Sequence, residues 1–176
     1  MKINKIALGL MLFISTGLFA QTNKQKRVMD DAEKAKAKFM EKDAGMDAFF
    51  NDSDAYVIFP SIGKGGLIVG AAAGNGVVYE NGSTIGMAKV KKLDVGLQAG
   101  GKSFSEIIFF KDAESFQSFK NGDFEFTGGV SVTMLKSGAA KEAQYRDGIA
   151  VFAMPKAGLM VDVSVGGQKF DFMPFK

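Results

Sequence analysis

GLQAGGKS, residues 96–103, matches G-x-x-x-x-G-K-[ST] at every fixed position. That is the pattern of the phosphate-wrapping loop of nucleotide hydrolases, and its reading decides the fold. A phosphate loop needs a buried, near-continuous apolar strand before it and a helix after it, as in a parallel α/β protein. Here Leu93, Val95, Leu97 and Ala99 alternate with Asp94, Gly96, Gln98 and Gly100. A period of two therefore runs straight through the supposed loop, the mark of a strand. Upstream, KVKKLDV (89–95) is charged rather than apolar. Downstream, FSEIIFF (104–110) is aromatic and β-branched, a strand composition. The stretch reads as a glycine-rich strand with a tight turn at Gly100-Gly101, and Asp162 in LMVD is too ordinary to serve as evidence of a magnesium partner. The nucleotide binder is set aside.

Working outward, the strand language continues on both sides. AYVIF (55–59) is a short apolar run expected to stop at Pro60, and GLIVGAAAG (66–74) is a run of small and branched residues. FEFTGGVSVTM (124–134) places Phe124, Phe126, Val130, Val132 and Met134 on one face, and LMVDVSV (159–165) alternates likewise. The phase then slips to Phe170 and Phe172, which predicts a bulge at Gly166-Gly167. One helix interrupts, with Asp112 as N-cap, Phe116 and Phe119 facing inward and Gly122 as C-cap. Before all of this, residues 22–42 predict a helix through Val28, Ala32, Ala35 and Phe39, ended by DAG at Gly45. A short helix from Met46 to Phe50 follows, and NDSD (51–54) reads as a turn. The predicted class is α+β: N-terminal helices, then a large, mostly antiparallel, glycine-rich sheet curled toward a barrel, with one inserted helix near 112–120. VIFPSIGKGGLIVG (57–70) and AVFAMPKAGLMVD (150–162) echo one another as strand, lysine turn, strand.

The chain opens MKINKIALGLMLFISTGLFAQ. Lys2 and Lys5, the apolar run Ile6 to Ile14 and the small residues before Ala20 have the order of a secretory signal, with cleavage expected between Ala20 and Gln21. The expected organisation is a signal peptide at 1–20, a helical segment at 21–50 and a β-rich domain at 51–176. Without its first 20 residues the chain keeps 156 residues and its formal charge falls from +3 to +1. That is enough chain for one core, and too little charge to indicate nucleic acid. The sequence has no Cys and no His. An exported chain of this kind folds without disulfides and lacks the commonest general base and metal ligand. No metal or cofactor is expected.

A second enzymatic pattern fits an exported protein better. Ser61-Ile62-Gly63-Lys64, Tyr79-Glu80-Asn81 and Lys136-Ser137-Gly138 resemble the three motifs of penicillin-binding acyl-serine enzymes. The serine of that S-x-x-K pattern opens a helix, so that it and the lysine share one face. PSIGKGG, with a proline before and three glycines within, does not hold a helical turn. No catalytic residue is assigned.

The glycine pattern as a whole is informative. YVIFPSIGKGGLIVGAAAGNGVVYENGSTIG, VGLQAGGKSFSEIIFF, FEFTGGVSV, DGIAVFAMPKAGLM and VGGQKFDFMP together resemble the SYLF domain, over about residues 46–173. They are most similar to its bacterial, exported lipid-binding branch, and GLQAGG falls where that family carries G-x-Q-x-G in a strand. Eukaryotic members are described as binding phosphoinositide membranes, partly through an N-terminal amphipathic helix, and some bind actin. The resemblance implies lipid or membrane association without catalysis. This chain has no Trp, and GSTIGMAKVKK stands where those members carry an aromatic-proline element. Actin is not expected as a partner.

The function expected is an exported, non-enzymatic lipid- or membrane-surface-binding module of the cell envelope. An envelope structural or protein-interaction module is the alternative. Two sets of residues are candidates for anionic headgroups. One is the basic face of the first helix, Lys24, Lys26, Arg27, Lys34 and Lys38. The other is the turn Lys64-Gly65-Gly66 with its echo Lys156, where turn amides flanking a lysine make an anion-binding concavity. The partner expected is a phospholipid or membrane surface, with no nucleic acid.

Overall fold

The computed structural model describes residues 22–63, 71–93, 103–122, 132–156 and 167–175. Helix α1 (Asn23–Lys42) starts at a capping box. Thr22 Oγ1 accepts the Gln25 N–H at 3.3 Å, and Gln25 Oε1 accepts the Thr22 N–H at 2.7 Å, which satisfies two amides the helix itself leaves free. It ends at Lys42, the last residue of the predicted span 22–42. Asp43 turns extended and its carboxylate accepts the Gly45 N–H at 2.9 Å and, from further along the chain, the Ala140 N–H at 2.8 Å. Helix α2 (Met46–Asp52) outruns its predicted end at Phe50 by two residues. Asn51, read as a turn residue, instead bonds Asp47 one helical turn back at 3.0 Å.

Seven strands follow: β1 (Ala55–Gly63), β2 (Ala71–Glu80), β3 (Ser83–Leu93), β4 (Phe104–Phe110), β5 (Val132–Met134), β6 (Ile149–Pro155) and β7 (Gln168–Pro174). Helix α3 (Ala113–Asn121) lies between β4 and β5, and the short α4 (Ala139–Glu142) between β5 and β6. As predicted, Asp112 caps α3 and Gly122 ends it in the left-handed region. The strands form one sheet in the order β5-β6-β4-β1-β2-β3-β7, antiparallel throughout except for the parallel β5–β6 pair. Pro60 does not stop β1. The register shifts between Ile58 and Ile62 against β2 and between Phe59 and Ile62 against β4, and Pro60 sits in that irregularity, where no ladder N–H is required. The β2–β3 hairpin turns on Asn81 and Gly82, both at positive φ, the two-residue turn whose twist suits flanking strands.

The sheet curls strongly but does not close into a barrel among the described residues. On a flat sheet β4 and β7 would stand about 19 Å apart, four spacings of ~4.8 Å. Yet Gln168 Nε2 on β7 donates to Glu106 Oε2 on β4 at 3.1 Å, and the Phe59 ring on β1 lies 5.8 Å from that of Phe170 on β7. The concave face holds Val57, Phe59, Ile108, Phe110 and Val151. Helix α3 covers it with Phe116 and Phe119, which lie 5.4 and 5.2 Å from Phe110. Gly76 permits this crowding, since a Cβ there would stand 2.6 Å from the Phe59 ring. The convex face holds Tyr56, Ile58, Val77, Tyr79, Ile107, Phe109 and Phe152, packed with Phe39 of α1, Met46 and Phe49 of α2 and Ala140 of α4. The predicted strands at 66–70, 124–131 and 159–165 and the predicted bulge residue Gly166 lie outside the described residues, as does the signal segment. Gly167 has the positive φ of a turn.

Candidate functional site

Helix α1 lies over the convex face on a stripe of Ala32, Ala35 and Phe39. The two alanines bring the helix close, and Phe39 supplies the volume. Polar groups pin it in place. The rings of Tyr56 and Tyr79 stack at 4.7 Å. The Lys36 ammonium bonds the Tyr56 hydroxyl at 3.1 Å and lies 4.5 Å over the Phe50 ring. The Tyr79 hydroxyl donates to Glu33 at 2.9 Å. Burial first, then the Glu33 carboxylate, holds the Tyr79 phenol far above its ordinary range, so it remains a donor.

The first turn of α1 overhangs a part of the sheet where the face changes character. Beneath the middle of the helix the strands present Ile58, Val77 and Tyr79. Beneath its N-terminus they present Asn75, Lys89 and Met173, and a cleft of about 280 Å³ opens between helix and sheet. Lys24 and Lys89 stand on its walls, Val28, Met87 and Met173 give apolar surface, and Asn75 brings a carboxamide. A shallow hollow of about 310 Å³ shares Asn75 and Lys89 and extends to Ser61 and Lys91. Lys91 pairs with Asp171 at 3.5 Å, with both side chains more than half exposed, so the pairing is weak. Lys24 and Lys89 have no ion-pair partner among the described residues. The groove thus runs from α1 across β2, β3 and β7, with Lys24 on the helix side and Lys89 on the sheet side beside apolar side chains.

Among the sequence candidates, Lys24 lies in this cleft. Lys26, Arg27, Lys34 and Lys38 are exposed on α1, and Lys34 pairs with Asp31 at 3.5 Å. Lys156 is exposed just after β6, where its backbone N–H donates to the Ser103 carbonyl at 3.0 Å. Lys64, Gly65 and Gly66 lie outside the described residues. So do residues 96–102 of the phosphate-loop pattern, but the helix that pattern demands is absent, because Phe104–Phe110 is strand β4. Ser61 is likewise within β1, not at a helix start. Lys89, Lys91, Asn75, Met87 and Met173 were not singled out by sequence. The signal was present in KVK, since alternation alone puts Lys89 and Lys91 on one face. Among the described residues no group of three acidic side chains is placed to hold a metal ion, and no helix is long and apolar enough to cross a membrane.

Comparison with known proteins adds two findings. Residues 91–172 match the family model described as Ysc84, Las17-binding protein actin regulator. Over 123 residues the chain is 31% identical to beta cell expansion factor A of Aeromonas veronii, which covers 69% of this chain and 46% of that protein. The chain therefore spans about half the length of that relative.

Proposed function

The chain belongs to the SYLF family, whose Ysc84 model it matches, and from that premise we propose that it is an exported, non-enzymatic module that binds anionic lipid surfaces of the cell envelope. The observation that carries this reading is the basic groove. Lys24 of α1 and Lys89 and Lys91 of β3, distant in sequence, gather at one end of one sheet face beside the half-buried Val28 and Met173. Cations beside accessible apolar side chains suit an interface where headgroups meet acyl chains. Lys26 and Arg27 extend the positive surface along the same end of α1. The N-terminal n-h-c order supports the exported assignment.

Co-sedimentation of the purified protein with vesicles tests the reading. Binding to vesicles containing an anionic phospholipid at low salt, and its loss as ionic strength rises, is the expected result. Indifference to lipid charge at every salt concentration overturns it, and leaves the envelope protein-interaction module as the reading to pursue.

A further inference from the structure

The cleft of about 280 Å³ is built jointly by the first turn of α1 and the sheet strands β2, β3 and β7. Its two walls each bring one ammonium, Lys24 from the helix and Lys89 from the sheet. The first turn of α1 contains no acidic residue, so the positive end of a 20-residue helix is not neutralised there. Asp171 stands directly opposite Lys89 in the β3–β7 ladder, and its exposed carboxylate lies 3.5 Å from the Lys91 ammonium. Asn75 faces the cleft with a donor and an acceptor.

We propose that this cleft is a headgroup slot that takes the phosphodiester of one anionic phospholipid between Lys24 and Lys89, its hydroxylated headgroup toward Asn75 and its acyl chains left in the bilayer. The proposal rests on the lipid-surface reading above and adds a defined site to it. Val28, Met87 and Met173 offer the glycerol backbone an apolar surface beside the two lysines. A diffuse basic surface responds to the number of lysines removed. A slot responds to which lysines are removed.

The test compares two double variants with equal charge change, Lys24→Gln with Lys89→Gln, and Lys34→Gln with Lys38→Gln. The second pair lies on α1 ten or more residues from Lys24, about 15 Å or more along the helix. All four side chains are exposed, so both variants should fold, which thermal melts verify. Binding is measured on vesicles of phosphatidylglycerol mixed with phosphatidylcholine. The slot predicts that the cleft pair weakens binding about tenfold more than the control pair, and that millimolar glycerol 3-phosphate competes with the vesicles for the parent protein but not for the cleft variant. Equal losses in the two variants overturn the slot and leave the lipid-surface reading standing. If the parent ignores anionic vesicles, both readings fall. If it takes up glycerol 3-phosphate while ignoring vesicles, the cleft serves a soluble phosphate and the lipid assignment is wrong.

Discussion

The two faces of the curled sheet are buried by different means. The concave face is filled by rings meeting rings, with Phe59, Phe110, Phe116, Phe119 and Phe170 in mutual contact and Gly76 making room. The convex face is covered by a helix whose buried stripe is two alanines and one phenylalanine. It is held in place by polar pins at Tyr56, Tyr79 and Asp43. The first kind of burial follows the curvature of the sheet and leaves little freedom. The second ends where α1 ends, and the uncovered remainder of the same face is where the basic cleft lies. Where apolar volume governs, the molecule is specified by shape. Where pins govern, part of the surface stays available.

The comparison can be broken most severely from the concave side. Phe59→Ala should cost about 3–5 kcal/mol, as a fully buried ring is removed from a close-packed face; denaturant unfolding measures it, and a loss below about 1 kcal/mol would show that the face collapses around the gap. On the convex side, Asp43→Ala should cost about 1–3 kcal/mol, because the buried Ala140 N–H loses its acceptor. The Ala140 N–H, more than any other group, holds the Asp43 carboxyl below its ordinary value of 3.8. A depressed folded pKa gives stability that is complete above the unfolded value and is lost as pH falls through the folded one. The gap between parent and Asp43→Ala should therefore be full at pH 7 and narrow below about pH 4; a constant gap down to pH 2 would contradict the assignment.

Smaller effects sharpen the contrast. Tyr79→Phe keeps the stacked ring and removes the bond to Glu33, so about 1–2 kcal/mol should be lost. Hydrogen exchange should quicken in α1 more than in α3, since only α1 depends on that pin. An equal change in both helices would erase the distinction between the faces. Lys156→Ala should leave stability within about 0.5 kcal/mol, as its exposed side chain lies outside both cores.

Much of the architecture was legible because periodicity reports burial. The four-three-four spacing of Val28, Ala32, Ala35 and Phe39 marks the inward stripe of α1, and FSEIIFF reads as the strand it forms. Asp112 and Gly122 state the limits of α3 through local chemistry alone. Errors arose where tertiary partners decide. Pro60 is tolerated because the register of β1 against both of its neighbours shifts around it. The parallel β5–β6 pair has no signature within either strand. Of the residues lining the cleft, Lys24 is legible because charge on a helix face is visible locally. Its partner Lys89 is not, since strand pairing and helix docking bring them together across 65 residues of sequence.

The Glu106–Gln168 contact and the β3–β7 ladder bear on the order in which the molecule can be built. Strand β7 pairs with β3, yet β4, α3, β5, α4 and β6 all lie between them in the chain. As the polypeptide lengthens, β1 to β4 can zip up through near neighbours while the outer edge of β3 waits with its amides and carbonyls unmet. Such long-range closure is intrinsically slow. Until it occurs, the nascent molecule carries an edge that another chain can capture. The lysines at 89 and 91 stand along that edge, where their like charges disfavour the pairing of two unfinished copies.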